Sequence, residues 1–247
     1  MYKFDAKKAK EELIQWMKNY FKDIPGTKLV VGLSGGKDST IVAKLGCEAL
    51  GKDRVVGVFL PNGVQQDIQD AYDVAEYLGI KTYEINIQNS VESTLLRMSN
   101  GKNAIEVTLQ TRINLPARIR MATLFAVAQS VNGRVSCNCN LSEDWIGYST
   151  YGGDDFGSLA PLRKLTVTEL IQIGKELGLP DRFINKTPAD GLSGKTDEDN
   201  FGFTYEILDR YIRTGEIDDL EIKTKIDKMH ENNIFKLNPI PMYTPNM

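Results

Sequence analysis

The chain has 247 residues, of which 41% are apolar and 26% charged, with a formal net charge of −3. That balance is the one of a soluble globular protein, long enough for one large α/β domain, here favoured over two small ones; interspersed charges offer no basic field for nucleic acid, and no apolar run is long enough to span a membrane. Three cysteines cannot build a disulfide framework and no signal segment opens the chain, so the cytoplasm is the expected compartment.

Lys7 to Phe21 carries Leu13, Ile14, Trp16, Met17 and Tyr20 at helical spacing, which predicts an amphipathic N-terminal helix within residues 1–24, with Trp16 and Met17 as packing residues. Lys28 to Leu33 is a β-branched apolar run that empties into Gly35-Gly36 before helical spacing resumes at Ile41, giving strand, tight loop and helix. Val55 to Leu60 reads as a second strand, Asp67 to Leu78 as a helix and Thr82 to Ile87 as a third strand. Pro116 suits a first helical turn, so a helix is expected over Ala117 to Val131, leading to a strand at Arg134 to Cys139. The alternation requires right-handed crossovers. It implies an α/β fold, an open parallel sheet with helices on both faces, of Rossmann-like type. Residues 185–200 are polar and aperiodic and read as a long mobile loop; Tyr205 to Arg213 and Leu220 to Glu231 read as helices of a C-terminal section, 203–247.

Gly32-Leu33-Ser34-Gly35-Gly36-Lys37-Asp38-Ser39 places two glycines and hydroxyls between a strand and a helix start. Such a backbone turns amides toward an anion, and the helix N-terminus adds about half a positive charge. A phosphate site follows. Walker A spacing fails, because Val31 and Asp38 stand where glycine and a hydroxyl residue belong; the GxGxxG spacing fails as well. Asp38 beside phosphates makes sense only if a cation intervenes, and Mg²⁺ reverses the sign.

This loop resembles the pyrophosphate-binding loop of the N-type ATP pyrophosphatases, whose fold is the adenine-nucleotide alpha-hydrolase type. Four further segments are similar to those of ammonia-dependent NAD synthetases: Leu60 to Asp67, Asn114 to Met121, Asn140 to Glu143 with Gly147 to Thr150, and Lys186 to Leu192 with Thr196 to Asp199, then Gly202 and Tyr205. The resemblance implies ATP as co-substrate, deamido-NAD and ammonia as the other substrates, an acyl-adenylate intermediate, and NAD, AMP and pyrophosphate as products. It implies ATP contacts at residues Gly32, Leu33, Ser34, Gly35, Gly36, Lys37, Asp38 and Ser39, with Asn138. It implies Mg²⁺ ligands at Asp38 and Glu143, and deamido-NAD contacts at Asn114, Arg118, Asp154 and Lys236. Arg118, read as lying at a helix start, offers a planar fork suited to pyrophosphate. No stretch is left over to hydrolyse glutamine, so ammonia is expected from solution or from a separate glutaminase. A homodimer is expected, with deamido-NAD near the interface.

The pattern is broken in places. Val167 stands where the family usually has lysine, Ser158 where it has aspartate, Cys137-Asn138 where it has Gly-Thr, and Phe59 where arginine is frequent. Lys164 is the candidate replacement cation and so, with Asp38, a catalytic candidate; Asp154 or Asp155 is the candidate acid. Cys137 and Cys139 read as buried strand cysteines, since the only histidine, His230, falls in a late helix and zinc needs four ligands. Two alternatives stay open: an adenylating amidase for another carboxylate, and a weakened nucleotide-binding paralogue. A tRNA-modifying enzyme on the same loop would need basic patches or paired catalytic cysteines.

Overall fold

The computed structural model describes residues 2–100, 102–185 and 196–245. The chain opens with α1 (Ala6–Tyr20), whose Asp5 side chain caps the amide of Lys8, and continues through β1 (Lys28–Gly32) into α2 (Lys37–Leu50). Then come β2 (Val55–Phe59), α3 (Ile68–Leu78), β3 (Lys81–Glu84), α4 (Gln88–Ser99), α5 (Leu109–Ser130) and β4 (Gly133–Val135). Among the described residues six helices follow: α6 (Leu141–Ile146), α7 (Val167–Glu176), α8 (Asp181–Ile184), α9 (Asp197–Phe201), α10 (Tyr205–Thr214) and α11 (Leu220–Leu237).

The four strands are parallel in the order β3-β2-β1-β4. Val30 and Val31 of β1 point to opposite faces, and each face has its own core. On one, Leu29, Val31 and Val55 meet Met17, Ile41, Leu45, Val74, Leu170 and Ile173, from α1, α2, α3 and α7. On the other, Val30, Val56 and Val58 meet Val91, Met121, Leu124 and Ala128, from α4 and α5. Period-two strands covered on both sides must be apolar throughout, which is why β2 is buried at every position. A third cluster joins Ile146, Val167, Phe201, Phe203, Tyr205, Leu208 and Ile226, and seats the C-terminal helices on α6 and α7.

Several boundaries differ from the sequence expectation. The long helix begins at Leu109, capped by the Thr108 hydroxyl, so Pro116 lies inside it and Arg118 is more than two turns from its start. Its first turns bury no residue, which hid it. The strand expected to Cys139 pairs with β1 only through Val135; beyond it Ser136 bridges Leu159, and the Cys137 amide donates to the Leu159 carbonyl at 2.8 Å. The third strand ends at Glu84, although the Ile85 and Ile87 amides still donate to the Phe59 and Pro61 carbonyls, each at 2.9 Å. Helix α4 had no counterpart in the sequence reading, because only Val91 on it is buried and its periodicity is faint. Of the stretch read as a mobile loop, residues 186–195 lie outside the described residues, and α9 occupies its end.

Candidate functional site

Strand order reverses between β1, which leads to β2 and β3 on one side, and β4 on the other. In open α/β sheets the crevice beyond the carboxyl ends of such strands is where ligands bind. The glycine loop leaves β1 at that point. Gly35 has φ +75°, and a side chain there would bring its Cβ within 2.7 Å of Asp70 Cβ and 2.8 Å of the Ala71 nitrogen; the loop is pressed against the first turn of α3. Glycine is required twice over. Ser39 Oγ donates to the Gly36 carbonyl at 3.1 Å, and the Gly36 amide donates to Ser34 Oγ at 3.2 Å, which fixes the turn. Gly36 is the N-cap of α2 and no side chain caps that helix. Its first amides are therefore left to an anion.

Asp38 stands in the first turn of α2 with its side chain only 17% exposed. Its Oδ2 accepts from Lys37 Nζ at 3.0 Å, while its Oδ1 is buried with no hydrogen-bond partner among the described residues. Glu143 approaches from α6. There it completes a capping box: its amide donates to Asn140 Oδ1 at 3.0 Å and its Oε2 accepts the Asn140 amide at 3.3 Å. Burial first, then the Asp38 charge, push the Glu143 carboxyl well above the ordinary range, against the pull of Lys37. An orphaned carboxylate oxygen beside a carboxyl that resists ionising is a setting that a divalent cation would relieve. Two carboxylates fit Mg²⁺, which keeps waters and takes phosphate oxygens for its remaining positions.

The second wall is built by residues 136–155. Asn138 donates Nδ2 to the Gly32 carbonyl at 3.2 Å and accepts from Ser136 Oγ at 2.8 Å, tying this wall to the glycine loop. The thiols of Cys137 and Cys139 both donate to the Asp154 carbonyl, at 3.6 and 3.2 Å, and Asp154 Oδ1 accepts the Thr150 amide at 2.7 Å. Asn114 of α5 accepts from Thr150 Oγ1 at 3.3 Å, and Arg118 one turn later donates Nε to the Tyr151 carbonyl at 3.1 Å. Thus Asn114, Arg118 and Asp154 meet at one loop. Lys236 joins them from α11 by donating to the Gly147 and Ser149 carbonyls at 2.7 and 2.8 Å. Asp155 is buried and accepts the Gly152 amide at 2.8 Å, a loop-holding position, and Ser158 offers its carbonyl to Tyr20.

Lys164 is placed differently. Its side chain is exposed, and its carbonyl accepts from Arg213 Nη2 at 2.8 Å. Val167 packs in the apolar cluster with Tyr205 and Leu208. The ammonium that is buried beside Asp38 belongs to Lys37, 5% exposed and 5.8 Å over the Tyr205 ring. Two groups at this edge belong to the late family-like segment but are given no site role by the sequence: Asp197, 6% exposed, and Tyr205, whose hydroxyl donates to Asp197 Oδ2 at 3.3 Å. Tyr148 donates to the other oxygen at 3.2 Å. The segment Thr196 to Asp199 marked the region, but nothing local says which of its carboxylates is buried.

The sequence profile of the NAD synthase family matches residues 9–240. The chain belongs to that family. NAD synthases are ligases that form a carbon–nitrogen bond with ATP. An NH(3)-dependent NAD(+) synthetase of Alkaliphilus metalliredigens is 35% identical over 89% of this chain and 91% of its own length. Among solved structures, an NMN synthetase from Francisella tularensis is similar with a TM-score of 0.87 and 32% identity, covering 99% of this chain and 100% of that one. An NH3-dependent NAD synthetase from Campylobacter jejuni, in complex with nitrate, gives a TM-score of 0.78 at 26% identity, covering 98% and 100%. The α/β fold read from the alternation of strand and helix is thus the NAD synthase fold. No helix among the described residues is long and apolar enough to cross a membrane.

Proposed function

We propose that the protein amidates a nicotinate-bearing nucleotide with ammonia at the expense of ATP, with deamido-NAD as acceptor and NAD as product. The observation that carries this is the uncapped head of α2, with Asp38 and Glu143 beside it, in a chain of the NAD synthase family. Ammonia cannot displace oxide from a carboxylate. A carboxylate oxygen therefore attacks the ATP α phosphorus, the bond from that phosphorus to the departing oxygen breaks, and pyrophosphate leaves. Ammonia then adds to the acyl carbon of the acyl adenylate, AMP departs with the bonding electrons, and the nitrogen loses a proton.

The chain's own groups supply positions and charge for these steps. The uncapped amides at the head of α2 grip the phosphates, and Asp38 and Glu143 would hold Mg²⁺, which would withdraw charge from phosphate oxygens when bound. Arg118 reaches the acceptor's phosphate with its remaining guanidinium donors, and Asn114 and Asp154 hold the same loop at Thr150. Lys236 keeps the Gly147–Ser149 turn in place for them. Ammonia arrives from solution or from a separate glutaminase.

One observation favours a second acceptor: the likeness to the Francisella structure described as an NMN synthetase runs over the whole chain at a TM-score of 0.87. On that reading the acceptor is nicotinate mononucleotide. Protein incubated with ATP, Mg²⁺, ammonium and either acceptor, scored for amide and pyrophosphate, separates them. NAD formed from deamido-NAD supports the first reading; turnover confined to the mononucleotide replaces it; no pyrophosphate with either sinks both.

We also propose a homodimer. Leu109 and Ile113 on α5 are 74% and 42% exposed, and more than three turns farther along the helix the Phe125 ring packs 5.8 Å from that of Phe156, also exposed. Two-fold pairing is the commonest way such a face is covered, and an obligate contact would bury more than about 2,000 Å². Sedimentation at micromolar concentration checks it; a fully active monomer would refute it.

A further inference from the structure

Lys37 carries a charge where an apolar residue would be cheaper to bury. It is the first residue of α2, and its ammonium lies 3.0 Å from Asp38 Oδ2, with side-chain exposures of 4% and 17% for the pair. Burial works against that charge. The Asp38 carboxylate in direct contact with it offsets that cost. The lysine therefore stands as a cation against one of the two carboxylates placed to bind one. Asp38 divides its oxygens accordingly, Oδ2 on Lys37 and Oδ1 with no partner among the described residues.

From this placement we propose that Lys37 is an internal counter-cation: in nucleotide-free protein it occupies the cation subsite at Asp38 and Glu143, and on nucleotide binding it passes its ammonium from carboxylate to phosphate oxygens. The inference rests on the adenylating reading given above. Its physical reason is competition. A cation entering the subsite meets a fixed ammonium 3.0 Å from its ligand, and like charges at such range in a poorly hydrated site repel strongly. A phosphate at the head of α2 lies next to residue 37 itself and draws the ammonium off, freeing Asp38. The consequence is ordered binding, in which bare metal binds weakly and metal arrives with nucleotide. In this account Lys37, rather than the exposed Lys164, is the cation that touches the phosphates.

The test measures binding, not turnover. Mn²⁺ is titrated into nucleotide-free protein by electron paramagnetic resonance, and ATP is titrated without divalent metal by calorimetry. Lys37→Met should tighten Mn²⁺ about tenfold and weaken ATP about tenfold, the scale of one charge-assisted hydrogen bond gained or lost. Lys37→Arg, which keeps the charge, should stay near the original protein in both. Lys37→Gln repeats the test should the methionine variant fail to fold. Unchanged or weaker Mn²⁺ binding in the neutral variants, or unchanged ATP binding, overturns the proposal, since a lysine needed only for packing would lower the melting temperature and leave both affinities alone. Absence of pyrophosphate release by the original protein would instead strike the adenylating reading.

Discussion

Glu143 does two things that a pair of substitutions separates. Its Oε2 caps the Asn140 amide at 3.3 Å, and its charge faces Asp38. Glu143→Gln keeps an acceptor for the cap and removes the charge, whereas Glu143→Ala removes both. One capping interaction is worth about 1 kcal/mol, which for a chain of this size moves the melting temperature by about 2–4 °C, so the glutamine variant should melt that much above the alanine variant. The charge adds a pH signature. The folded carboxyl titrates above its unfolded value, so the stability it contributes is full below the unfolded pKa of about 4.3 and is lost as pH rises through the folded value. The glutamine variant should lack this slope and gain on the original protein toward neutral pH in chelator. Thermal melts from acidic to neutral pH, with turnover at saturating Mg²⁺, make the assay. Turnover should fall by about 10²-fold or more in both variants, the size expected for losing charge stabilisation at a phosphoryl centre. If glutamine melts with alanine the capping argument is wrong. If glutamine keeps full turnover, Glu143 is a cap and nothing more.

Asp38→Asn should abolish pyrophosphate release and also lower the melting temperature, because it leaves the buried Lys37 ammonium without its carboxylate; an unchanged melt would contradict the pairing at 3.0 Å. Gly35→Ala should cost about 3 kcal/mol in chemical denaturation, from a left-handed backbone and a Cβ set 2.7 Å from Asp70 Cβ, and should weaken ATP binding. Lys164→Ala should keep most of the turnover, and a strong loss would return the catalytic role to that exposed side chain. Arg213 donates to Glu169 at 2.7 and 2.6 Å. Burial pushes the Glu169 pKa up, but Arg213, Tyr2 and the Thr166 amide outweigh it and hold it below the ordinary value. The stability from that lowered pKa is present above the unfolded value and lost as pH falls through the folded one; Arg213→Ala should flatten this acid limb of the melting curve and destabilise by about 3 kcal/mol.

Sequence alone determined the sheet-and-helix alternation, the glycine loop and the family, because each is written in local terms: β-branched runs, helical spacing, and a loop whose phosphate chemistry needs glycines at fixed offsets. It brought Asn138, Glu143 and Asp154 to notice one by one, without saying that Asn138 ties to Gly32 or that Glu143 caps its own helix. Helix α5 shows the limit on local structure. Its first two turns bury nothing and contain Arg112 and Asn114, so proline at 116 looked like a start, while the Thr108 cap and packing farther along carry the helix through it. The electrostatics were decided by tertiary structure alone. Lys37 and Lys164 are both lysines near a motif, and nothing local says that one lies under Tyr205 beside a carboxylate while the other faces solvent. Burial depends on helices more than a hundred residues away in the chain, and it is burial that turns an ordinary charge into one that must be paired.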